Sequence, residues 1–164
     1  MHYTMKKHKF WKWIDASLDE RHDWGKQLGT ISEHSLKYPL KDIIAFDKWL
    51  KKLVDKTYKK LHYHSALENF YKLYNLTNGL ECFVILLGSE TYERVINDPS
   101  ILVKKNYLKE YKSVHQVIDN LLDTPDYTFY WRTGENMSNY FDNPEALKAL
   151  QKEVDKNHDK RYDY

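Results

Sequence analysis

Gly88-Ser89-Glu90-Thr91-Tyr92-Glu93-Arg94-Val95-Ile96-Asn97-Asp98-Pro99-Ser100-Ile101-Leu102 holds a helix stop, a helix start, an apolar face and a second stop. Gly88 is free to end one helix in a left-handed conformation, and Ser89 to cap the next. Tyr92, Val95 and Ile96 fall on one face at helical spacing, and Asn97-Asp98-Pro99 ends the run. No pair of residues within it is arranged for a reaction. The stretch decides the fold class, and the chemistry has to be sought elsewhere.

Helical spacing continues on both sides. Upstream, Ile43, Phe46, Leu50, Leu53-Val54, Tyr58 and Leu61 repeat at intervals of three and four, which predicts a long helix from about 40 to 62. Phe46, Leu50, Leu53 and Tyr58 are its expected core, and Lys48, Lys52 and Lys59 its expected wet side. Phe10, Trp13, Ile14 and Leu18 mark a first helix; Trp24, Leu28 and Ile31 mark a second. Ser65-Ala66-Leu67-Glu68 has capping-box spacing, predicting a helix from there to a break at Thr77-Asn78-Gly79. A short apolar helix follows as far as Leu87. Downstream, Tyr107, Tyr111, Val114, Ile118 and Leu121 predict a helix over roughly 106–122, and Asn143-Pro144 opens a last one. Between them, Thr124 to Asp142 reads as irregular, with Tyr127-Thr128-Phe129-Tyr130-Trp131 allowing a short β-hairpin near 127–140. The expected fold is all-α: one compact domain over residues 1–164, six to eight helices, with residues 1–8 and 157–164 frayed.

Bulk composition agrees with that class. At 164 residues, 41% hydrophobic, 30% charged and with only five Gly and four Pro, the chain is too apolar for a disordered polymer and too poor in turn residues for a β-sandwich. Five Trp and 14 Tyr mean that rings supply much of the packing. Cys82 is the only cysteine, so an intramolecular disulfide is ruled out, and its apolar setting reads as a buried small hydrophobe. The longest apolar run, Cys82 to Leu87, is far short of the roughly 20 residues of a membrane span. Lys12 and Asp15 interrupt any signal-peptide core near the N-terminus. The expectation is a cytoplasmic protein with no membrane partner.

Phe10-Trp11-Lys12-Trp13-Ile14-Asp15-Ala16, then Ile43-Ile44-Ala45-Phe46, Lys56-Thr57-Tyr58, Gly88, Tyr92 and Asp98-Pro99-Ser100-Ile101-Leu102 follow in a fixed order. Over roughly residues 10 to 123 this order resembles a bacterial family, domain of unknown function 4240. Tyr74-Asn75 and Leu80-Glu81 stand where members commonly carry an acidic pair before an aromatic-arginine helix. The resemblance implies a mainly helical bacterial domain, and it brings no reaction, cofactor or catalytic residue.

Chemical motifs are sparse. His62 and His64 are two apart and diverge on a helix, whereas metal ligands want spacings of three or four. His64 with Glu68 makes only half a site. There is no glycine-rich phosphate loop, serine elbow or Cys-His motif. No catalytic residue, metal or cofactor is expected, although an enzyme of unknown reaction stays open as an alternative.

Charge is more informative. Lys37 to Lys60 carries eight Lys and three Asp; Gln116 to Ala146 carries six acids and only Arg132 as a base. A net charge of +2 conceals this segregation. The basic run solvates a helix exterior, or alternatively Lys48, Lys52, Lys56 and Lys59 form a nucleic-acid face on a basic helix over 41–60. In the acidic run, Asp126, Tyr130, Trp131, Glu135, Tyr140 and Asp142 interleave rings with carboxylates. Tyr and Trp anchor protein interfaces, and surrounding acids steer toward basic partners. The leading expectation is therefore a small protein-binding domain of immunity or antitoxin type, neutralising a basic partner such as a toxin. Against it stands the reading that these rings close the core beneath a long loop.

Overall fold

The computed structural model describes residues 3–21, 23–73 and 79–161. Among these residues it contains α-helices and short 3-10 turns and no strand. The ten helices are α1 (Lys7–Asp15), α2 (Trp24–Leu36), α3 (Leu40–Leu61), α4 (Glu68–Leu73), α5 (Gly79–Leu86), α6 (Ser89–Asn97), α7 (Ile101–Lys104), α8 (Tyr107–Ile118), α9 (Thr124–Thr133) and α10 (Pro144–Arg161). None is long and apolar enough to cross a membrane. The expected break at Thr77-Asn78, and the residues Tyr74-Asn75, lie outside the described residues.

The centre is α5. All eight of its residues are buried, as expected of a helix apolar all round. It is enclosed by α3, α6 and α8, and α2 bridges α1, α8 and α9. Rings fill much of the remaining space: Phe10 stacks on Phe46 at 4.8 Å, Trp13 on Phe46 at 4.9 Å, and Trp11 leans on Tyr92 at 4.9 Å. Burial pushes the Cys82 thiol well above its ordinary range, so it packs as a small hydrophobe.

The long helix forms as its spacing predicts, with Phe46, Leu50 and Leu53 buried. Tyr58 is a correction, because it is 37% exposed. The buried seam runs through Leu53, Thr57 and Leu61 at intervals of four, which leaves Tyr58 rotated outward. Thr57 is tolerated inside because its hydroxyl donates to the Leu53 carbonyl at 2.7 Å and pairs with the Tyr92 hydroxyl at 3.2 Å.

The start of α6 is built differently from the local cap that its sequence suggests. Gly88 occupies the capping position at φ +90, and a Cβ there would lie 2.7 Å from a Leu18 methyl. The cap comes from α1: Asp15 accepts from the Ser89 backbone N–H at 2.8 Å and from the Ser89 hydroxyl at 2.6 Å. The Ser65–Glu68 capping box is also replaced. Ser65–Leu67 forms a 3-10 turn in which the His64 ring accepts from the Ala66 N–H at 3.3 Å.

The largest correction falls on the segment expected to be irregular or a hairpin, which is helical from Thr124 to Thr133. Pro125 sits in its first turn, where its missing N–H costs nothing. Gly134 ends it at φ +76, its N–H donating to the Tyr130 carbonyl at 2.7 Å. Aromatic β-preference gives way to packing: Thr128 and Phe129 are buried between α2 and α3, with Thr128 bonded to Ser32 at 2.7 Å.

The segment before α1 is fastened to the other end of the chain. Trp49 Nε1 donates to the Met5 carbonyl, and the Tyr3 hydroxyl donates to the Tyr140 carbonyl at 3.1 Å. The Lys48 ammonium lies over both the Tyr3 and Phe141 rings, 5.2 and 5.6 Å from their centres.

Candidate functional site

Because α9 is a helix, Tyr127, Tyr130 and Trp131 share one face at spacings of three and four. With Phe129 turned inward to anchor the helix, those three rings are 73, 56 and 68% exposed. A cleft of about 610 Å3 opens beside them, bounded by Leu36 and by Leu150, Val154 and Glu153 of α10. Arg132, the cation of this stretch, is half-buried and donates to the Tyr38 carbonyl, and it lines the same cleft as the three rings.

The acids flank the rings. Asp126 stands in the first turn of α9, Glu135 just beyond its end, and Asp142 before α10; all three are exposed. Among the described residues none of them, nor Asp123 or Glu153, takes part in an ion pair. Tyr140 is half-buried, 5.7 Å from Phe129, and helps to close the core rather than face outward. Tyr127, one of the rings read in the acidic segment but not among the residues expected to bind a partner, belongs to the exposed set. The signal was its spacing of three from Tyr130, visible once the stretch is read as a helix.

The basic candidates are more fully engaged. Lys48 is held over two rings, Lys52 lies 5.3 Å from the Trp49 ring centre, and Lys59 pairs with Asp55 at 2.7 Å. Lys56 is exposed and makes no ion pair among the described residues. The stripe is therefore a mixed face rather than a continuous row of free cations. Among the described residues no group of three His, Cys, Asp or Glu side chains could hold a metal ion.

A second polar feature is internal. Glu81, only 2% exposed within α5, accepts from the Tyr71 hydroxyl at 2.8 Å. His62 lies edge-on to Tyr71 at 5.0 Å and stacks on Tyr58 at 4.7 Å, its Nδ1 buried without a partner. Burial raises Glu81 above the ordinary carboxylate range, opposed by hydrogen bonds from its own backbone and Tyr71 and by the charge of His62. Burial, reinforced by Glu81, also raises the Tyr71 phenol. The signal of Glu81 in the sequence is a lone carboxylate inside the apolar run Leu80 to Leu87.

A family model described as a protein of unknown function (DUF4240) matches residues 5–123. No curated protein and no solved structure matches the chain. The matched region stops where α9 begins, so the exposed aromatic face lies on helices beyond it.

Proposed function

We propose a binding rather than catalytic role for this chain, which belongs to the DUF4240 family across residues 5–123. The observation that carries the reading is the α9 face, where three exposed rings adjoin carboxylates without ion-pair partners. A contiguous ring patch of this kind costs solubility unless something covers it, and Tyr and Trp are the side chains that dominate interface energetics. Unpaired acids around it favour a positively charged partner and speed its approach. The partner is a basic protein. In a bacterial cytoplasm, a toxin held inactive by this small domain fits that description.

Affinity capture by the full chain from its native host tests the proposal, with binding to the recovered partner then measured. The captured protein should be basic. Trp131→Ala should weaken binding by about 2 kcal/mol or more, and it should leave stability within about 0.5 kcal/mol because the ring is largely in water. Asp126→Asn with Glu135→Gln should slow association and flatten its salt dependence. A partner that binds Trp131→Ala as tightly as the wild type would refute the surface.

A further inference from the structure

We propose that the cleft between α1 and α6 binds a free α-amino acid with an apolar side chain, its carboxylate held from α1 and its ammonium from α6. The cleft lies within the region that the family model matches, whereas the aromatic face of α9 lies beyond it. Its volume is about 970 Å3. Lys7, His8, Trp11 and Lys12 of α1 line one wall, and Glu90 and Glu93 of α6 line the other. Asp15, the acid on the α1 side, is committed to the N–H and hydroxyl of Ser89. The cleft is therefore dipolar, basic along one helix and acidic along the other.

The lining carries an unsatisfied donor. Trp11 is the one buried residue among those around the cleft, 5% exposed, and its Nε1–H has no hydrogen-bond partner among the described residues. A buried donor left unpaired is costly, and an acceptor brought to it is correspondingly favoured. Lys7, four residues before Trp11, shares its face of α1. Lys7 and Glu93 meet across the cleft at 2.7 Å with their side chains 59 and 45% exposed. An ion pair so open to water is worth little and parts easily. Lys12 and Glu90 take part in no ion pair among the described residues.

The bridge selects the ligand. A simple anion that took Lys7 would leave Glu93 unpaired, and a simple cation that took Glu93 would strand Lys7. A zwitterion replaces each half of the bridge with its opposite charge, so both residues keep a partner. The ligand carboxylate accepts from Trp11 Nε1–H and Lys7, with Lys12 alongside. Its ammonium donates to Glu93 and to Glu90, which is three residues earlier on the same helix. The Trp11 ring and the Ala16 methyl offer apolar surface to the ligand side chain. A metal is not the occupant, because His8 and the acids form no group among the described residues that could hold one.

L-Leucine, titrated into the isotope-labelled full chain and followed by NMR, tests the site. Isocaproate, which lacks the ammonium, and isoamylamine, which lacks the carboxylate, are the controls. Leucine should move the Trp11 indole N–H signal downfield, together with the Glu93 carboxyl signal, with affinity on the order of millimolar. The indole signal is identified by its absence in Trp11→Phe. Each control should bind about tenfold or more weaker, because it satisfies one half of the bridge and strands the other. Lys7→Met and Glu93→Gln, both on well exposed side chains, should each weaken leucine by about fivefold or more and leave the melting temperature near that of the wild type. A Trp11 indole unmoved at about 50 mM leucine would overturn the proposal. So would equal binding of leucine and either control, or leucine binding unchanged in both variants. The site and the α9 surface fail separately, since Trp131→Ala should leave leucine binding as it was.

Discussion

Asp15→Ala should destabilise the fold through a helix 74 residues away. The Asp15 carboxylate accepts the Ser89 N–H at 2.8 Å and the Ser89 hydroxyl at 2.6 Å, and the residue is partly buried. Loss of an N-cap alone costs about 1 kcal/mol. A hydrogen bond to a charged group contributes roughly 1.5–3 kcal/mol when shielded, and part exposure favours the lower end. The two together give about 2–3 kcal/mol. At roughly 2–4 °C per kcal/mol for a chain of this size, the melting temperature should fall by about 4–12 °C. Ser89→Ala keeps the backbone bond and should cost only about 1 kcal/mol. Because both changes act on one linkage, the double variant should cost little more than Asp15→Ala alone. Urea and thermal melts followed by circular dichroism provide the numbers. A cost below about 0.5 kcal/mol for Asp15→Ala, or additive effects in the double variant, would show that the cap is not what holds α1 to α6.

Leu50 is wholly buried on α3, and Leu50→Ala should cost about 2–5 kcal/mol in the same melts; a cost near zero would contradict the packing. For Glu81 the sign follows from its upward shift. Between the ordinary value of 4.5 and its raised folded value, the folded chain binds more protons than the unfolded one, so Glu81 lowers stability as pH rises through that window. Glu81→Gln, which keeps an acceptor for Tyr71, should therefore gain stability relative to wild type as pH climbs from below 4.5 toward neutrality. A difference independent of pH would mean that the carboxylate is not shifted.

Much of the helical framework was legible because it rests on period alone. The run from Ile43 to Leu61 and the face of Tyr92, Val95 and Ile96 announce themselves in any window of a dozen residues. What escaped depends on residues distant in the chain. Thr57, not Tyr58, falls on the seam of Leu53 and Leu61, and its hydroxyl finds partners there in the Leu53 carbonyl and the Tyr92 hydroxyl. Ser89 resembles a self-sufficient cap, but the carboxylate that fills the role belongs to Asp15. The aromatic run after Pro125 suits a strand by local preference, and only the buried contacts of Thr128 and Phe129 hold it as a helix. That last error hid the site as well. The acids and rings of 126–142 were recognisable as a group, yet the alignment of Tyr127 with Tyr130 and the freedom of Asp123 follow from the helix.

The fastening of Tyr3 to Tyr140 joins positions 137 residues apart. Such a contact is reached only after the chain between has been largely ordered, since closing so long a loop early costs entropy that nothing local repays. The clasp of Tyr3, Met5 and Trp49 against Tyr140 and Phe141 is therefore assembled late in folding, after the helices that frame it. By the same logic it is among the first places to open in the native state, and amide exchange should outpace the core there. The approach to α10, one wall of the partner cleft, thus depends on the first few residues of the chain. A fusion or tag placed ahead of Met5 would disturb recognition more than its distance in sequence suggests.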